Sequence, residues 1–409
     1  MSDLPEVKAT RERAEAARHK VAKYGPDIKL EEYTTEAPDY EEQKLADIDL
    51  VDRERLLNAG VDLTGSERSG SFIQVDRSVI HAAPTQEGIE VMSTREALEK
   101  YDWLSEYLWK VVDVDTDKYT ASAELNFQDG YFVRALPGAR TVFPVQACLY
   151  LKSEDISQNV HNIIIAEEGS ELHIITGCAT DSPESRGLHV GISEFFIRKN
   201  AKITFSMIHN WAPNVAVRPR SGIRIEEDGV FLNNYICLHP VESLQLFPSA
   251  YLVGEGATAR FNSVLLAPGG SNMDVGSRAV LSAPGTRCEM IARSITTGGD
   301  VINRGLLVGE VEGVKAHLEC RGMILKGGGR MYAVPELDGR AEGVEMSHEA
   351  AVGKIAQEEV EYLMARGLSE DEAVATIVRG FMHVDIEGLP PVLKDQIDHA
   401  IELSEQSLF

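Results

Sequence analysis

RAVLSAPGTRCEMIARSI (278–295) and, ten residues on, GLLVGEVEGVKAHLECRGMIL (305–325) follow one plan: an apolar run, a tight polar turn, then a second, alternating run. The same plan recurs in NIIIAEEGSELHIITG (162–177), EFFIRKNAKITFSMI (194–208), GIRIEEDGVFLNNYI (222–236), AYLVGEGATARFNSVLL (250–266) and YAVPELDGRAEGVEM (332–346). The turn residues Gly169, Asn200, Gly229, Gly256, Gly285, Gly313 and Gly339 lie 31, 29, 27, 29, 28 and 26 residues apart. A period near 28 held over seven units is a solenoid signal, because no unit buries its apolar face alone and stacked units share one core. Each turn is expected to need a positive φ, which glycine and asparagine supply. An up-and-down barrel or a sandwich also yields short strands and turns, but the regular period and the lack of intervening helices favour a parallel β-helix. The expected fold class is mainly β: a parallel solenoid core over 121–345, flanked by helical regions.

Upstream, residues 1–120 read as a mainly helical region. ATRERAEAARHKVAKY (9–24) is a polar helix, and the acidic stretch 39–57 a helix with a connector. TREALEKYDWLSEYLWKVV (94–112) is an amphipathic helix with Leu98, Tyr101, Leu104, Leu108 and Val111 on one face. Downstream, 346–409 reads as a helical domain. KIAQEEVEYLMARG ends at Gly367, suited to a helix C′ position. Ser369 and Glu372 form a capping box opening a helix with Val374, Ile377, Val378 and Phe381 on one face. Pro390-Pro391 breaks it, and VLKDQIDHAIELSEQ forms a last helix.

The chain has 409 residues, 40 Lys+Arg and 65 Asp+Glu, a net charge of −25. That acidity argues against a general nucleic-acid binder, whose footprint is basic. Residues 341–409 carry a net −11, which reads as a solvated face or as a docking surface for a basic partner. No apolar run reaches the roughly 20 residues of a membrane helix, and the N-terminal stretch lacks a signal-peptide core, so the expected location is cytoplasmic. There is no GxxxxGK[ST], GxSxG or HExxH, so nucleotide binding through a P-loop, serine hydrolysis and zincin chemistry have no anchor. KGGGRM (326–331) reads as a solenoid corner.

The five cysteines, Cys148, Cys178, Cys237, Cys288 and Cys320, form no CxxC pair, which removes zinc ribbons and ferredoxin-type runs. Cys148, Cys237 and Cys288 lie in strand-like stretches as small buried hydrophobes. Cys178, at a strand end beside a glycine, is the more accessible thiol. Cys320 stands between Glu319 and Arg321, and a neighbouring guanidinium favours the thiolate, the nucleophilic and metal-binding form. His348 and Glu349, where solenoid gives way to helix, read as a metal or proton-handling pair, or equally as a helix start capped by Ser347.

GVEMSHEAAVGKIAQEEVEYLMARGLSEDEAVATIVRGFMHV (343–384) resembles the C-terminal signature of the SufB/SufD family. LECRGMILKGGGRMYAVPELD (318–338) is similar to that family's cysteine-containing strand, IHNWAP (208–213) to its QNWYP segment and HIITGCA (173–179) to its LEGC segment. The resemblance implies a right-handed parallel β-helix between helical ends, acting as a non-enzymatic scaffold on which iron–sulfur clusters are built and handed to apo-proteins. It implies a separate ABC ATPase, SufC, docked on the C-terminal helices, which accords with the missing P-loop. Mixed SufB-like and SufD-like features point to the SmsB scaffold of a minimal archaeal-type system paired with SmsC, a homodimer carrying two ATPase copies. Carried over by position, Cys320, His348 and Glu349 match the residues implicated in holding the nascent cluster at the dimer interface. Ser347 stands where the family has a first glutamate, so the ligand set is not copied whole. Cys178 matches the sulfur-accepting cysteine, with a sulfur donor or free sulfide as the source. Two other classes compete: a β-helix polysaccharide-active enzyme, disfavoured because no strip of carboxylates or basic residues runs along successive coils, and a purely structural adaptor for the ATPase.

Overall fold

The computed structural model describes residues 5–63, 67–325 and 328–382. The helix expected over 392–406 lies outside the described residues. From Val145 to Gly353 the chain alternates between two sheets, one strand or a broken pair of strands in each per turn. The first sheet stacks Val145–Leu151, Glu171–Thr180, Lys202–Asn210, Val230–Cys237, Thr258–Ala267, Arg287–Thr296, Lys315–Ile324 and Glu345–Gly353 in that order. Every neighbouring pair among them is parallel and in continuous register. The second sheet runs from Ile156–Ala166 through to Met331–Gly339, also in parallel. The protein is a parallel β-solenoid of about eight turns.

The expected period is present in the backbone. Positive φ falls at Gly169, Asn200, Asp228, Gly256, Gly285, Gly313 and Gly343. Two positions differ from expectation. Asp228, which tolerates the left-handed region through its short polar side chain, takes the role assigned to Gly229. Gly229 is instead required for space, since a Cβ there would meet Glu226 O at 2.9 Å. Gly339 closes a strand, and the last turn is made at Gly343. The turns stack as the strands do: Gly169, Asn200 and Asp228 each donate an amide to the next corner's carbonyl, at Lys199, Glu227 and Glu255.

Alternation within each strand sends one set of side chains inward. The continuous core runs from Phe72 to Cys320 and includes Phe195, Phe205, Phe231 and Phe261, packed edge-on or tilted at 4.9–5.9 Å between ring centroids. Outward faces are covered by helices. α1 (Pro5–Ala17) with α4 (Lys118–Leu125) covers Leu188, Val190 and Ile192, and α2 (Leu50–Asn58) covers Cys148, Tyr150 and Ala179.

The N-terminal region is less helical than expected. Gly70–Val75 and Ser78–Pro84 form a hairpin that caps the first coil, and Ile89–Ser93 pairs antiparallel with Tyr131–Ala135. The helix expected over 94–112 stops early: α3 spans only Thr94–Lys100, and a 3₁₀ segment follows at Asp102–Tyr107. Beyond it the amides of Trp109, Lys110, Val111 and Val112 donate not to helical carbonyls but to the carboxylate of buried Glu194, at 2.5–3.1 Å. A charged acceptor outcompetes the helical pattern there, and Trp109 turns to φ 55°.

At the other end, α5 (Gln357–Met364) and α6 (Glu370–Met382) follow the last strand. Ser369 and Glu372 make the expected capping box, at 2.8 and 3.3 Å, and Gly367 ends the preceding helix at φ 101°. α6 lays Val378 and Met382 on Val264, Leu266, Ile295 and Met323, the outward face of the first sheet. No described helix is long and apolar enough to cross a membrane.

Candidate functional site

The last two strands of the first sheet, Lys315–Ile324 and Glu345–Gly353, carry the C-terminal candidates. Their register pairs His317 with Ser347, Leu318 with His348, Glu319 with Glu349 and Cys320 with Ala350. Parallel partners share a face, so parity divides the candidates. Cys320 and His348 look into the solenoid, and Glu349 looks out.

On the inward face, Cys320 follows Ala316 and Leu318 into the core and is fully buried. Burial, with Glu319 beside it, pushes its thiol up to about 11. The expected help from Arg321 is absent for a geometric reason: adjacent strand residues point to opposite faces. Arg321 pairs outward with Glu319 at 2.7 Å and lies 3.7 Å from Glu349. His348 is half-buried, one strand over and two residues back from Cys320, and its buried Nε2 has no hydrogen-bond partner among the described residues. The helix-start reading of Ser347–Glu349 does not hold, because these residues sit mid-strand and the next helix opens at Gln357.

On the outward face, Glu349 meets two residues not singled out from sequence. The ligand-capable atoms of His317, Glu319 and Glu349 all lie within 4.8 Å of one another. Nδ1 of His317 and Oγ of Ser347 are hydrogen-bonded at 2.8 Å, the bond that engages Ser347 in place of a helix cap. His317 and Ser347 also line a cleft of about 740 Å³ with Arg260, Arg287 and Lys315. The signal for this cluster was in the repeat: a 30-residue step from 319 to 349 sets the two carboxylates side by side once parity is applied.

Cys178 is not the accessible thiol expected. It lies near the end of Glu171–Thr180, 1% exposed and in the main core, and burial drives its thiol far above the ordinary range. Its side chain faces the solenoid interior in register with Leu149, and the outer side of the same strand is closed as well, since a Cβ at Gly177 would stand 2.4 Å from Ala59 O. In register, Cys178 stacks on His209 and His209 on Cys237. His209 Nδ1 bonds the Tyr235 hydroxyl at 2.8 Å, and burial holds the imidazole well below its usual range. Five strand steps at about 4.8 Å put Cys178 on the order of 24 Å from Cys320. The two sites are therefore separate. All five cysteines are free and buried.

The description "SUF system FeS cluster assembly, SufBD core domain" matches residues 149–381, from within the first coil's opening strand into α6. The chain belongs to the SufBD family of iron–sulfur cluster assembly proteins. It is 49% identical over 405 residues to an iron–sulfur cluster assembly SufBD family protein of Methanothermobacter thermautotrophicus strain Delta H, covering 97% of this chain and 99% of the relative. A SufBD family protein of Archaeoglobus fulgidus is 51% identical over 358 residues, 88% of this chain and 96% of the relative. One from Pyrococcus horikoshii is 31% identical over 342 residues, 82% and 76% of the two chains. Membership in the SufBD family accounts for the solenoid with helical ends and leaves the roles of individual residues to chemistry.

Proposed function

We propose that the chain is the scaffold subunit of a SUF/SMS-type assembly complex. On this reading it holds a nascent iron–sulfur cluster at the open end of the solenoid and passes it to apo-proteins. An ABC ATPase of the SufC/SmsC type docks on the C-terminal helices, and a second copy of the chain completes the site. The observation that carries the reading is the inward pair at the last coils: a thiol and an imidazole with an unpartnered nitrogen, on two adjacent strands. One thiolate mixed with nitrogen and oxygen ligands holds a cluster less firmly than four thiolates, which suits a cargo that must leave. Two chains meeting at this end double the set to four or more donors. Glu349, on the far side of the same strand, joins only if the edge strand turns or the partner copy supplies it.

The buried thiol requires an opening step. α6 is seated on Met323, three residues from Cys320 on the same strand, so force on the helical hairpin reaches the thiol directly. ATP-driven closure of two docked ATPases is the proposed source of that force. Cys178 is retained as a candidate sulfur acceptor; its thiol faces the solenoid interior, so sulfur reaches it only if the coils around it open.

Anaerobic reconstitution with iron and sulfide tests the scaffold role, comparing wild type with Cys320→Ser in the presence of the partner ATPase. Visible charge-transfer absorption with bound iron and acid-labile sulfide is expected in the wild type and lost in the variant. Equal incorporation by both removes Cys320 from the site. No cluster on either leaves the adaptor reading in its place.

A further inference from the structure

We infer that His317, Glu319 and Glu349 form a divalent-cation site on the outward face of the last two coils, selective for a first-row transition metal such as Fe²⁺. The register stacks Glu319 directly against Glu349, and like charges at opposed positions destabilise a sheet unless a cation lies between them. Arg321 answers that repulsion in part, 2.7 Å from Glu319 and 3.7 Å from Glu349. Two carboxylates against one guanidinium leave a net negative site. His317 adds a nitrogen donor whose orientation is fixed from behind: with Nδ1 bonded to Ser347, Nε2 is the ring nitrogen that faces a ligand, the arrangement that orients metal-binding imidazoles.

Ligand atoms about 2.1 Å from a metal sit roughly 3–3.5 Å apart, so the trio, whose ligand atoms all lie within 4.8 Å of one another, need close by no more than about 1–2 Å. Glu349 can make that movement, since its side chain is 61% exposed. Arg321, 43% exposed, can swing into solvent when a cation displaces it. The exposed Glu349 side chain leaves the site open to bulk ions. One imidazole with two carboxylates favours Fe²⁺, Co²⁺ or Zn²⁺ over Mg²⁺, which prefers an all-oxygen shell. The inward thiol contributes nothing, because Cys320 points through the opposite face of the sheet. The inference is independent of cluster assembly: the site binds the metal ion alone.

Anaerobic titration of the full chain with Co²⁺, read by its visible ligand-field bands and by competition with Fe²⁺, tests the site. About one equivalent per chain is expected, unaffected by millimolar Mg²⁺. His317→Ala and Glu319→Gln should each weaken binding at least tenfold, while Arg321→Gln should tighten it by removing the resident cation. Cys320→Ser should bind as wild type does, so a failed cluster reconstitution leaves this result standing and the reverse also holds. Wild-type affinity in both His317→Ala and Glu319→Gln would overturn the site, as would loss of binding in Cys320→Ser. Should either ligand variant fold poorly, the Arg321→Gln arm decides alone: unchanged or weaker Co²⁺ binding there counts against the site.

Discussion

Cys320 and Arg321 are neighbours in sequence and look through opposite faces of one strand, and that fact decides the chemistry of the thiol. A guanidinium that faced the sulfur would hold it as thiolate; instead burial and Glu319 raise it from 9.0 to about 11. The sign follows from linkage. A thiol whose folded value is raised favours the folded state fully below its unfolded value, and that contribution is lost as pH climbs from about 9 towards 11. Iodoacetamide should therefore leave Cys320 unlabelled in the folded chain at pH 8, with labelling increasing as pH passes 9. Peptide mass spectrometry against a chain unfolded in guanidinium reads the difference. Labelling at pH 8 as fast as in the unfolded chain would mean that the last coils stand open without a partner.

Among the elements, the coils were legible and the junctions were not. Gly169, Asn200, Gly256, Gly285 and Gly313 mark their corners because a stacked turn needs a positive φ at the same step of every coil, a local demand written in residue type. Asp228 escaped notice since aspartate also occupies that region, and the adjacent glycine drew the assignment. The stretch 94–112 has real helical periodicity, yet its second half is shaped by Glu194, more than 80 residues away in sequence. Long-range capture of this kind leaves no local trace. It also has a measurable cost: buried Glu194 accepts four amides and bonds Nε2 of buried His161 at 2.8 Å. Glu194→Gln turns one acceptor oxygen into a donor facing those amides. It should lower stability by about 2–4 kcal/mol, seen as an earlier urea midpoint, with the 109–112 amides losing hydrogen-exchange protection first. An unchanged midpoint would show that the loop is held by packing alone.

The molecule as a whole has one closed end and one open end. The Gly70–Val75 hairpin caps the first coil, whereas among the described residues nothing pairs with the outer edge of Glu345–Gly353. Inward-facing positions record the difference. Leu307 is fully buried, but Leu337, one coil on in the same row, is 42% exposed, and so is Val352. Core-type side chains left in water beside an unpaired strand edge invite a second apolar surface. The proposed occupant is another copy of this chain, joined end to end about a two-fold axis. The wild type should then sediment at twice the 44.9 kDa chain mass. Leu337→Asp combined with Val352→Asp should shift it to monomer at micromolar concentration. Circular dichroism should keep its strand signal, because both residues sit on the final coil and support nothing beyond it. A wild type that stays monomeric even with its ATPase bound would leave Cys320 and His348 with half a ligand set, and the two-chain cluster site would fall with the dimer.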